Sequence, residues 1–74
     1  MIATKAADEL FADGLVQKLE MVPGRKYVIL FDYRAVPRQA VIAATKHIHE
    51  KWGIEALLLA VDDPRSAIKS IEVI

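Results

Sequence analysis

The chain has 74 residues, enough for a single domain. Apolar residues make up 54% of it, ten basic side chains balance ten acidic ones, and there is no cysteine. That composition excludes disulfides and thiolate zinc sites, argues against a disordered tail, and supplies no net field to draw in nucleic acid or an anionic membrane.

Thr4 is placed to cap a first helix, in which Ala3, Ala6, Ala7, Leu10 and Phe11 form one apolar stripe. Asp13-Gly14 is expected to end it, the glycine suiting a left-handed C-terminal position. Leu15 to Val22 fits two periods. Leu15, Leu19 and Val22 suit a helix, whereas Leu15, Gln17, Leu19 and Met21 suit a strand. Pro23-Gly24 is a turn signal, and Lys26-Tyr27-Val28-Ile29-Leu30-Phe31 is a strand rich in β-branched and aromatic residues. A hairpin of Val16–Val22 against Lys26–Phe31 is the preferred reading; a helix is the alternative.

Asp32-Tyr33-Arg34-Ala35 leads to Val36-Pro37, and proline favours a first helical turn. The run from Pro37 to Lys51 is the strongest helix pattern. Val41, Thr45, Ile48 and Trp52 define its apolar face, with Ala40 and Ala44 beside them and Gly53 after the end. Ile54 to Val61 reads as a second apolar strand, closed by Asp62-Asp63-Pro64. Ser70-Ile71-Glu72-Val73-Ile74 reads as a last short strand after a turn near Pro64–Ala67.

Two apolar strands joined by a helix of about fifteen residues form a βαβ unit, expected to be right-handed. The expected architecture is therefore α/β of the two-layer α+β kind: an N-terminal helix, a β-hairpin, the β-α-β unit and a short C-terminal strand, in one small mixed sheet. Tyr27–Phe31 and Ala56–Val61 are apolar on consecutive residues, as in a sheet covered on both faces. The long helix covers one. The first helix, or a second copy of the chain, has to cover the other. Below roughly 70–80 residues a single core rarely supplies more than about 3–5 kcal/mol. With no disulfide available, self-association is the remaining source of stability, so a homo-oligomer is expected.

In open sheets with parallel strands, ligands bind beyond the strands' carboxyl ends. Asp32, Tyr33 and Arg34 follow one such strand, Asp62 and Asp63 the other, and Arg38 and Arg65 are expected to open onto the same edge. Such a cluster suits Mg²⁺ or a phosphate. The plainer reading is that aspartates after strands close turns and that arginines neutralise them. No glycine-rich phosphate loop accompanies the cluster. His47 and His49 are two apart on a helix and do not share a face, so no metal site is expected there. Trp52 reads as a core or interface anchor, Tyr33 as an exposed contact residue. No catalytic constellation and no cofactor motif stands out. The N-terminus reaches Asp8 and Glu9 too early for a signal peptide, and the apolar run Ala56–Val61 is too short to span a bilayer, so the cytoplasm is the expected compartment.

The stretch Val22-Pro23-Gly24-Arg25-Lys26-Tyr27-Val28-Ile29-Leu30, the Pro-started helix and Gly53-Ile54-Glu55-Ala56-Leu57-Leu58-Leu59 resemble small reading frames of tailed bacteriophages and prophages. Those pair a "PGxxYV" strand with a βαβ unit. The likeness covers roughly residues 20 to 61 and contains no catalytic motif. It implies a phage accessory protein, one that binds and blocks a host or defence component. The expected function is a non-enzymatic, self-associating protein-binding module. The alternative is a nucleotide, phosphate or Mg²⁺ site, or a phosphoryl enzyme, at the strand ends.

Overall fold

The computed structural model describes residues 2–63 and 65–73, with side chains from residue 9 onward. The elements in chain order are α1 (Ile2–Leu19), β1 (Lys26–Asp32), α2 (Arg38–Trp52), β2 (Glu55–Val61) and β3 (Ile68–Glu72). Ala3, Ala6 and Ala7 of the expected stripe have side chains outside the described residues, as do Pro64 and Ile74 altogether. Thr4 lies within α1 rather than before it.

The strand order is β2-β1-β3. β1 pairs with β2 in parallel, Lys26 opposite Glu55 through Asp32 opposite Val61. It pairs with β3 antiparallel, Tyr27 opposite Glu72 through Phe31 opposite Ile68. The fold is thus a small α+β domain with a mixed sheet, and the βαβ unit lies where the apolar pattern puts it.

The expected hairpin does not form. Gly14 does not stop α1, which continues through Leu15–Leu19. Helical spacing then puts Ala12 and Leu15 on one buried face, with Val16 and Leu19 packed beside them. The helix ends in a Schellman arrangement. The Met21 N–H donates to the Val16 carbonyl (3.2 Å), the Glu20 N–H donates to that of Gln17 (3.3 Å), and Glu20 takes φ 53°. The Pro23-Gly24 turn does form, but it joins a helix to a strand. Its Gly24 N–H donates to the Trp52 carbonyl at 3.0 Å, tying the turn to the end of α2.

α2 starts after Pro37, which occupies the N-cap position with extended backbone, and ends at Gly53 in the left-handed region (φ 67°). Val41, Ala44 and Ile48 are its buried residues, spaced to meet the sheet. They pack with Tyr27, Ile29 and Phe31 of β1, Ile54 before β2 and Ile68 of β3. α1 lies beside α2 on this same side of the sheet. Lys51 and Asp13 bridge the two helices (3.8 Å), and the Ser70 hydroxyl donates to the Leu19 carbonyl (3.3 Å), fixing the end of α1 to β3. The molecule is a slab, 34 × 28 × 16 Å.

A Cβ at position 14 meets no atom within 4 Å. Gly14→Ala is therefore expected to raise stability by about 0.5–1 kcal/mol, the usual difference inside a helix. Glu20→Gly is expected to add a similar amount, relief of the left-handed strain outweighing the added chain entropy. Thermal melts read both as a rise of about 4–8 °C per kcal/mol for a domain of this size. A fall in Tm for Gly14→Ala would contradict a helix that runs unbroken to Leu19.

Candidate functional site

The turn after β1 is built by Asp32. Its buried carboxylate accepts the Arg34 N–H (2.9 Å), and its carbonyl accepts those of Ala35 (3.0 Å) and Val36 (2.9 Å). The Arg34 side chain then spans the two parallel strand ends. Its Nε lies 3.6 Å from Asp32, and its Nη2 hydrogen-bonds the carboxylate of Asp62 after β2. Asp32, Arg34 and Asp62 do come together as the strand register requires.

The remaining residues of the expected cluster do not join them in one set. Asp63 and Arg65 form their own loop: the Asp63 carboxylate accepts the Arg65 N–H (2.9 Å) and lies 3.6 Å from its Nε. Arg38, exposed at the start of α2, makes no ion pair among the described residues. Tyr33 is 58% exposed. Each aspartate therefore meets an arginine of its own turn or of the neighbouring strand end. Such closed pairs hold loops; their charges are already matched and desolvate poorly for a further ligand. No group of three metal-ligating side chains occurs among the described residues.

The histidines part as the helix period demands. His49 is exposed, whereas His47 turns inward, edge-on to Trp52 (centroids 6.1 Å apart), its Nε2 buried and without a partner. Lys51 lies over the Trp52 ring at 4.8 Å. Arg25 and Lys26 are neutralised by Glu72 (3.8 Å) and Glu55 (3.7 Å).

The face that the apolar strand pattern left to the first helix or to a second copy lies on the other side of the sheet. Tyr27, Ile29 and Phe31 point to the helices, so alternation sends Lys26, Val28 and Leu30 the opposite way. Their neighbours in register are Glu55, Leu57 and Leu59 on β2, and Lys69, Ile71 and Val73 on or just after β3. Neither helix crosses this side. Leu57 is 61% exposed, Leu59 44%, Ile71 51% and Val73 46%. A shallow depression of about 470 Å³ opens there between Lys26, Val28, Glu55, Leu57 and Val73. Of the two covers expected for this face, the first helix or a second copy, the first helix does not supply it: α1 sits beside α2 instead. The sequence signal was present in the last strand, where Lys69, Ile71 and Val73 alternate with Ser70 and Glu72.

A compact monomer of 8.2 kDa exposes about 4,500 Å² by the mass scaling of folded chains. This chain exposes 5258 Å². No protein-family model, no curated protein and no solved structure matches the chain. No helix among the described residues is long and apolar enough to cross a membrane.

Two outcomes follow for the strand-end aspartates. Asp32→Ala is expected to cost about 1–3 kcal/mol, because it strips a buried acceptor from the Arg34 N–H and leaves the guanidinium half-paired; Asp32→Asn keeps one acceptor and loses less. A denaturant titration of the pair checks it. The Asp63 carboxyl is held below its ordinary value of 3.8, first by the Arg65 N–H it accepts, which with the charges of Arg65 and Lys69 outweighs an opposing effect of desolvation. A carboxylate with a depressed folded pKa stabilises above its unfolded value, and that contribution disappears as pH falls through the folded one. Asp63→Asn should therefore melt below wild type at neutral pH and converge with it in acid. A gap in Tm that is constant with pH would contradict the assignment.

Proposed function

We propose that the chain is a non-enzymatic binding module that works by associating with itself through the open face of its sheet. The observation that carries this reading is the uncovered apolar surface of Val28, Leu30, Leu57, Leu59, Ile71 and Val73, in a chain whose exposed area exceeds that of a compact monomer of its mass. Contiguous apolar patches of a few hundred Å² on soluble proteins mark interaction surfaces. Zero net charge removes the self-repulsion that would hold copies apart.

The seven-residue β1 and β2 and the five-residue β3, about 4.8 Å apart and rising about 3.3 Å per residue, span roughly 300 Å² in plan. Side chains standing above the sheet enlarge that, so two such faces bury on the order of 1,000 Å², the lower bound for a specific interface. An interface of that size, at the low end for specific association, fits a reversible dimer. The likeness to small phage reading frames fits an accessory role of this kind, in which the protein acts by occupying a surface rather than by chemistry.

Sedimentation of the purified chain should show a monomer–dimer equilibrium at micromolar concentration, with a Tm that rises with protein concentration. Leu57→Glu puts a charge in the middle of the buried patch and is expected to abolish the dimer. It should leave the far-ultraviolet circular dichroism of the monomer unchanged, since a surface substitution usually moves stability by no more than about 0.5 kcal/mol. A wild-type chain that stays monomeric at hundreds of micromolar would remove the proposal.

A further inference from the structure

We infer that the second copy packs its open face on the first with strands crossing steeply, about a two-fold axis through Val28, so that Glu55 of each copy meets Lys69 of the other. The inference rests on the self-association reading and adds its geometry.

The argument starts from the register. On the open face three rows cross the sheet: Glu55, Lys26 and Val73; Leu57, Val28 and Ile71; Leu59, Leu30 and Lys69. Val28 is the centre of this grid. Glu55 and Lys69 are opposite corners of it and carry opposite charge. Lys26 lies between the corners of the first row and touches Glu55 at 3.7 Å. Lys69 makes no ion pair among the described residues.

A two-fold dimer centred on Val28 has few distinct ways to lay this grid on itself. With the axis along the strands, Lys26 faces Lys26 and Lys69 faces Leu59. With the axis across the strands, Lys26 faces Leu30, Glu55 faces Leu59 and Lys69 faces Val73. Both bury charge against apolar groups or against like charge, which costs more than the contact returns. With the axis perpendicular to the Glu55–Lys69 diagonal, each Glu55 lies over a Lys69. Leu30 then lies over Leu57, and Val28 lies over its own copy. Lys26 falls near Ile71, where its aliphatic stem packs and its ammonium stays at Glu55. With strands about 4.8 Å apart and residues about 3.3 Å apart along them, this diagonal makes the two sets of strands cross at about 70°. That is close to the orthogonal class of sheet packing.

The test is a charge exchange at two exposed positions, followed by sedimentation equilibrium at low and high salt. Glu55→Lys and Lys69→Glu should each weaken the dimer by about tenfold or more, because the symmetry breaks two contacts at once and sets like charges together. The double variant E55K/K69E, carried together with K26E so that position 55 keeps an opposite charge beside it, restores the pairing and should return within about threefold of wild type, with the same loss of affinity in salt. Thermal melts of each variant at low concentration confirm that the monomers fold. A dimer that survives both single changes overturns this geometry while leaving self-association intact. That is the result expected if copies join instead along the free edge of β2. A double variant no tighter than the singles overturns it as well. A wild-type chain with no dimer removes the underlying reading rather than this geometry alone.

Discussion

The phenol of Tyr27 lies on the helix side of β1 and accepts the Val22 N–H at 2.7 Å, so the chain that leaves α1 must enter the sheet from the side α2 already occupies. Gly24 strengthens the constraint by donating to the Trp52 carbonyl, which binds the same loop to the end of α2. With its exit held at two points, α1 has only the ground beside α2 to lie on. The Lys51–Asp13 bridge and the Ser70–Leu19 hydrogen bond then hold it there. Two helices on one side give a dense core of Ile29, Phe31, Val41, Ile48 and Ile54, all nearly free of solvent. The same placement leaves the reverse of the sheet bare. Core and open face are two results of one loop geometry.

Charge in this protein is arranged locally. The ion pairs at the strand ends and edges join Arg34 to Asp32 and Asp62, Arg65 to Asp63, Arg25 to Glu72 and Lys26 to Glu55. Exposed pairs of this sort add little stability each. Their larger effect is to keep the rim of the sheet neutral, so the apolar face is not ringed by one sign of charge.

Much of this was legible in the residues. The consecutive apolar runs around Ile29 and Leu58, joined by a helix whose apolar face repeats at Val41, Ala44 and Ile48, specify the βαβ unit almost alone. Of the strand-end aspartates and arginines, Asp32, Arg34 and Asp62 meet, and Asp63 and Arg65 pair with each other. The end of α1 was not legible, because both local signals mislead. Gly14 is tolerated inside the helix since tertiary burial of Ala12 and Leu15 outweighs its propensity, and the left-handed terminator is Glu20, a residue that rarely adopts that conformation. The cover of the sheet's second face was left open between α1 and a second copy for a related reason. An apolar run shows that a strand wants cover on both sides, but not whether the cover comes from its own chain.

β1 lies at the centre of the sheet, yet both strands that flank it come later in the chain. The segment Ile68–Glu72 closes its second side, and it does more than add a strand. Ser70 holds the end of α1, the Ala67 carbonyl accepts the Asp32 N–H at 2.8 Å, and the Val73 N–H reaches Lys26 at 2.8 Å. β1 therefore stays unpaired on one flank, and the end of α1 lacks its Ser70 anchor, until Ile68–Glu72 joins the sheet. An unpaired flank of a central strand is a template for pairing with another chain, so the last strand protects the first as well as completing the sheet.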